Sequence, residues 1–131
     1  MKDCIFCKII RGDLPMYKIY EDAQTLAFLD IKNDYYGHTL VIPKKHCVNI
    51  LDADAKTLAA VMRGVQKVSK HYIKLGFDGV NVFINNGAAA QQVVFHLHMH
   101  IAPRRAGEGH IWNQTIDRDL SKEQAFLNML D

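Results

Sequence analysis

Residues 93–104 read VVFHLHMHIAPR, with His96, His98 and His100 at alternate positions and Leu97, Met99 and Ile101 between them. Period-two alternation is the pattern of a strand, whose successive side chains point to opposite faces, whereas a helix would scatter the three imidazoles. The segment therefore calls for a sheet. One face would be closed by Val94, Leu97, Met99 and Ile101, and the other would carry a row of rings spaced about 7 Å apart.

The rest of the chain supplies partners for that strand. MYKIYED, TLAFLDI and HTLVIPK are strand-like runs with the short separators AQ and KNDYYG, which favours an antiparallel meander. A helical pattern follows, with Leu58, Val61, Met62, Val65, Val68 and Tyr72 at intervals of three and four, caps available at Asp52 or Asp54, and Gly76 to end it. VNVFINNG reads as another strand, joined to the histidine strand by NNGAAAQQ. At the ends, CIFCKII suits one or two helical turns before the turn signal RGDLP, and SKEQAFLNML opens with a capping-box pattern at Ser121 and Gln124. Five strands and one long central helix, with short terminal helices, make an α+β fold with a mostly antiparallel sheet. With no internal repeat, residues 1–131 are expected to form one domain. The helix should take one face of the sheet, leaving the histidines on the other.

Composition narrows the partners. Half the chain, 49% of 131 residues, is hydrophobic, enough for a real core, and no apolar run approaches the roughly 18 residues of a membrane span. A soluble, cytoplasmic protein without a membrane partner is expected. The 16 basic residues against 14 acidic ones are dispersed, giving a net charge of +2 and no stripe for a long nucleic acid. A small anionic ligand needs only a few placed donors. Three cysteines, two of them in Cys4-x-x-Cys7, point to metal or redox chemistry rather than a disulfide framework. Cys47 reads as a small apolar filler, and Trp112 as a packing or dimer-contact residue.

Neighbouring imidazolium charges repel, so three rings on one face keep one another neutral near pH 7. Two chemistries use such a row. It can hold a catalytic metal through His-x-His and a third ligand. Alternatively, one neutral imidazole is a nucleophile toward phosphorus, held in the correct tautomer by a bond to its other nitrogen. The preceding loop offers Asn85, Asn86 and Gln92 as neutral donors suited to phosphate oxygens.

The run His96-Leu97-His98-Met99-His100-Ile101-Ala102 resembles the signature of the histidine triad (HIT) family. CIFCKIIRGDLP, YEDAQTLAFLDI, GHTLVIPKKH and NNG extend the resemblance to the nucleotide-binding branch and its bacterial zinc-containing relatives. The resemblance implies that His98 attacks the α-phosphorus of a nucleotide derivative and that the nucleotidyl-histidine is then hydrolysed to a nucleoside monophosphate. It implies supporting roles for His100 and His38, with Asp30 on the ribose hydroxyls. Ile5, Phe6, Ile9, Leu14, Phe28 and Ile31 match positions around a purine base, and Asn85 and Gln92 match phosphate-contacting positions. It further implies a structural zinc on Cys4, Cys7, His46 and His96, no added catalytic metal, and a homodimer formed through the central helix and fourth strand.

Two departures stand out. Where the family commonly has Gly-Gln and then a small polar or acidic residue, this chain has Gln91-Gln92-Val93, and Val93 has no hydroxyl for a phosphate or leaving group. Asn33 replaces a common proline. Phosphoramidate hydrolysis is the leading expectation, with dinucleoside polyphosphate hydrolysis, a weakly catalytic nucleotide-binding scaffold and a metal-dependent hydrolase as competitors.

Overall fold

A computed structural model describes residues 3–110 and 115–130, so Trp112 lies outside the described residues. The elements run α1 (Ile5–Arg11), β1 (Lys18–Glu21), β2 (Thr25–Leu29), β3 (Thr39–Pro43), α2 (Ala55–Lys74), β4 (Gly79–Phe83), β5 (Met99–Arg104) and α3 (Leu120–Leu127). The strands form one sheet in the order β1-β2-β3-β5-β4, every pairing antiparallel. The expected α+β fold is present.

Alternation in the central strands explains the two layers packed on this sheet. Ala27, Leu29, Val41 and Ile101 join Val61, Val65, Val68 and Tyr72 of α2 in the larger core. Leu26, Phe28, Leu40 and Ile42 point the other way and meet Phe6 and Ile9 of α1. Each fully buried aliphatic side chain contributes roughly 1.5–3 kcal/mol relative to exposure. With both faces covered, β2 and β3 are buried along their whole length. Gly64 lets α2 come this close, since a Cβ there would stand 3.2 Å from both Thr25 Oγ1 and Val41 Cγ1. Tyr72, at the far end of that face, shares a 2.6 Å hydrogen bond with Thr39 Oγ1.

Local chemistry sets the helix ends. Asp54, one of the two expected caps, accepts from Thr57 N at 2.7 Å, and the turn beyond α2 passes through Gly76 at φ +107°. In α3 the cap is Asp119, which accepts from Lys122 N, rather than Ser121; Ser121 already lies inside the helix.

The histidine strand is shorter than its alternation predicts. β5 begins at Met99, and residues 93–98 run beside the sheet without joining its ladder. Leu97 N donates instead to Cys47 O at 2.8 Å, in the segment following β3. Leu97 and Ile101 still enter the larger core, but Val94 packs on the Phe6 side, not with them. No helix among the described residues is long and apolar enough to cross a membrane.

Candidate active site and metal centre

His98 lies on the extended segment entering β5 and is buried. Its Nδ1 is 2.7 Å from the carbonyl oxygen of His96. A carbonyl only accepts, so Nδ1 carries the proton and Nε2 keeps its lone pair. The Phe6 ring meets the imidazole edge-on, with centroids 5.2 Å apart. Burial lowers the pKa of His98, against the opposing pull of the His96 carbonyl and Asp30.

A second chain of bonds runs beside it. Asp34 accepts from His38 Nδ1, with its oxygens 2.9 and 3.1 Å away, and His38 Nε2 lies 2.8 Å from His100 Nδ1. Tyr35 stacks on His38 with centroids 4.2 Å apart, and Phe83 stacks on His100 at 4.4 Å and nearly parallel planes. His100 is pushed down to about 3, by burial first and then by His38 and His98. Its Nε2 is buried without a hydrogen-bond partner among the described residues. Asp30 closes the group, 3.6 Å from His38 Nε2.

The loop carrying Asp34 and His38 is held from a distance. The side chain of Arg118, just before α3, is fully buried; it donates to the carbonyls of Asp30 and Lys32 at 2.6 and 2.7 Å and pairs with Glu123 at 2.7 Å. Glu123 in turn accepts from Gly37 N at 2.9 Å. Gly37 has φ +75°, and a Cβ there would sit 2.6 Å from Pro103 Cγ, so no larger residue fits before His38.

Cys4, Cys7, His46 and His96 converge from three segments, with their ligand atoms all within 4.8 Å of one another. The His46 and His96 Nδ1 atoms are 3.1 Å apart, and the sulfur-to-Nδ1 separations are 3.3 to 3.6 Å. A tetrahedral zinc with its usual bond lengths separates two nitrogens by about 3.3 Å and nitrogen from sulfur by about 3.6 Å. The donor set fits. His96 Nε2 donates to Pro43 O at 2.9 Å, which leaves the Nδ1 lone pair facing the sulfurs. Burial lowers His96 to about 4, the neutral form a metal requires.

The other expected site residues divide. Phe6 and Phe28 are buried edge-to-face neighbours at 5.4 Å, while Ile5 and Ile31 are exposed at the rim. Leu14 is exposed and Ile9 is core. Asn85 is partly buried. Gln92 is buried, and its amide is fully used: Oε1 accepts from Asn49 and Gly87, and Nε2 donates to the carbonyls of Val48 and Val94. These bonds make the side chain a clamp that shapes the loop. Gln91 takes the left-handed conformation at φ 73°, the only non-glycine among the described residues to do so. Val93 is exposed.

Asp34, Arg118 and Glu123 escaped the sequence reading. Asp34 precedes His38 by four residues, a hint, but in a short loop that spacing carries no fixed geometry. Arg118 and Glu123 contact residues more than 80 positions away, so no local pattern reveals them.

An antiparallel sheet with three alternate imidazoles leading into β5, beside a Cys/His cluster, defines a class of small histidine-row proteins. The HIT domain model matches residues 11–107, and the chain belongs to the histidine triad family. It is 45% identical over 101 residues to an adenosine 5′-monophosphoramidase of Schizosaccharomyces pombe, covering 77% of this chain and 74% of that protein. To an adenylylsulfatase of Arabidopsis thaliana it is 45% identical over 104 residues, covering 79% of this chain and 53% of the other. A zinc-bound histidine triad family protein of Mycobacterium smegmatis superposes with a TM-score of 0.88 at 40% identity, covering 96% of this chain and 91% of that one.

Proposed function

We propose that this protein is a nucleotide hydrolase that cleaves nucleoside phosphoramidates or related derivatives at the α-phosphorus, through a covalent intermediate on His98. The observation that carries this reading is the 2.7 Å bond from His98 Nδ1 to the His96 carbonyl, which leaves Nε2 free as a nucleophile. In the first step the Nε2 lone pair forms a bond to phosphorus, and the leaving group departs with the electron pair of its own bond. Water then attacks the same phosphorus. The phosphorus–nitrogen bond breaks with its pair returning to Nε2, and a water proton passes to His100, whose Nε2 lies buried without a partner.

Phe6 and Phe28, with Ile5 and Ile31 at the rim, receive a purine base, and Asp30 accepts from the ribose hydroxyls. Asn85 and backbone N–H groups of the loop before His96 face the phosphate. The relationship to the fission yeast monophosphoramidase supports the reaction class. Cys4, Cys7, His46 and His96 hold a structural zinc, which ties α1 to the segment before His98; catalysis needs no other metal. The protein acts as one domain, and as a homodimer. The edge strand β4, with exposed Val82, and α2, with exposed Met62 and Ile73, supply unpaired surface for the contact. Sedimentation showing only monomer at micromolar concentration would count against the dimer.

Val93 favours a second reading within the same chemistry. Without a hydroxyl beside the leaving group, substrates whose leaving group departs as a stable anion, such as dinucleoside polyphosphates, are handled with less penalty than amines. The deciding experiment compares adenosine 5′-phosphoramidate hydrolysis by wild type and His98→Asn, with a chelator present. Chelator-resistant turnover absent from the variant is expected; equal rates in the two proteins would eliminate His98 as nucleophile.

A further inference from the structure

We infer that Asp34 is a positioning residue that sets which nitrogens of His38 and His100 carry protons, so that His100 Nε2 is ready to take the proton of the hydrolytic water. The inference rests on the two-step reaction proposed above, and its bonding pattern can be read separately from any activity.

A carboxylate has no proton to give, so the 2.9 Å contact from Asp34 Oδ2 requires a proton on His38 Nδ1. In neutral His38 the opposite nitrogen, Nε2, then holds a lone pair. Its 2.8 Å neighbour, His100 Nδ1, must therefore be the donor. That places the remaining lone pair of His100 on Nε2, the buried atom without a partner. One carboxylate thus determines the state of an atom two rings away. The stacking of Tyr35 on His38 and Phe83 on His100 fixes the orientation of both rings for these bonds.

The arrangement also suits the charged moment of the reaction. When water attacks nucleotidyl-His98, its oxygen bonds to phosphorus, the phosphorus–nitrogen bond breaks toward His98, and one water proton moves to His100 Nε2. His100 is then an imidazolium whose Nδ1–H still points at His38 Nε2, with the Asp34 carboxylate at the end of the chain. The same logic keeps the base correctly oriented in serine hydrolases, where removing the carboxylate's charge misplaces the tautomer. Burial alone would raise the Asp34 pKa, but the hydrogen bonds from His38 and the Tyr35 backbone hold it lower, keeping the anion. Arg118, 4.0 Å away, adds to this.

The surroundings of Asp34 make an isosteric test decisive. Tyr35 N donates to Oδ1 at 2.7 Å, so in Asp34→Asn the amide oxygen stays at that position and the NH2 group falls where Oδ2 faced His38 Nδ1. The NH2 group, at the 2.9 Å position, faces Nδ1 more closely than the amide oxygen at 3.1 Å, which favours the opposite tautomer. His38 then donates through Nε2 to His100 Nδ1, and His100 Nε2 acquires the hydrogen that makes it useless as a base.

The experiment pairs a spectrum with a split of the two half-reactions. In zinc-loaded full-length protein, 15N-labelled imidazole spectra should give His38 and His100 as Nδ1–H tautomers in wild type and Nε2–H tautomers in Asp34→Asn. With adenosine 5′-phosphoramidate, intact-mass measurement should show adenylylated protein accumulating in Asp34→Asn. Its release should be slower by about 10²-fold, and Asp34→Glu should recover part of the rate. Unchanged tautomers in a folded Asp34→Asn protein would overturn the inference, as would equal slowing of both half-reactions. Should wild type form no adenylyl-protein, the reaction reading fails while the spectra still decide the proton arrangement. Should Asp34→Asn not fold, Asp34→Ser, which also lacks the charge, takes its place in both measurements.

Discussion

His96 and His98 are the same side chain two residues apart, both buried, and they present opposite nitrogens. His96 gives its Nε2 proton to the Pro43 carbonyl and turns Nδ1 toward two sulfurs; His98 gives its Nδ1 proton to the His96 carbonyl and keeps Nε2 free. The difference between a metal ligand and a nucleophile thus lies in which nitrogen the backbone occupies. Composition and burial do not separate the two rings. His100 shows a third solution, in which a side-chain relay replaces the carbonyl.

Four experiments test this contrast. Replacing the free nitrogen should have the largest effect: His98→Asn is expected to reduce turnover by about 10⁵-fold while leaving nucleotide binding and melting behaviour near wild type. Equilibrium dialysis and steady-state rates measure this, and retained turnover would place the nucleophile elsewhere. At the ligand end, Cys7→Ala should remove the zinc found by metal analysis and cost more than about 5 kcal/mol, since structural zinc contributes on the order of 10–16 kcal/mol in small domains. Turnover should persist in whatever fraction stays folded; a normal melting temperature with abolished turnover would make the metal catalytic instead.

Next in size, Glu123→Ala leaves buried Arg118 without its carboxylate and Gly37 N without its acceptor, so denaturant unfolding should show a loss of about 3–5 kcal/mol. An unchanged midpoint would mean that the loop carrying Asp34 and His38 is held by other contacts. The smallest effect tests the loop on the His96 side: Gln91→Gly should stabilise by about 1 kcal/mol, because φ 73° disfavours a side chain. A loss of stability would show that the Gln91 side chain contributes more than its backbone costs.

Much of this was legible in the chain. The strand-like runs TLAFLDI and HTLVIPK contain strands that do pair, and the three-and-four spacing from Leu58 to Tyr72 predicted α2. Alternation overstated β5, because the backbone bends at residues 94–96 and Leu97 N bonds to Cys47 O outside the ladder. Alternation of residue types does not by itself place a segment in the ladder. Cys4-x-x-Cys7 was locally visible, yet its convergence with His46 and His96 depends on contacts spanning up to 92 positions and was expected only from family resemblance. Asp34 was missed for the opposite reason: it is close to His38 in sequence, but only the loop conformation set by Gly37 and Arg118 turns the two toward each other.

The carbonyls that orient His96 and His98 belong to Pro43 and His96 themselves, and every amino acid carries the same carbonyl. No point substitution can delete those acceptors; it can only move them. The proton placement of these two rings is thereby shielded from genetic drift but exposed to any shift of the main chain. The proton placement of His100, anchored by a replaceable side chain, is open to reversal by one codon change at position 34.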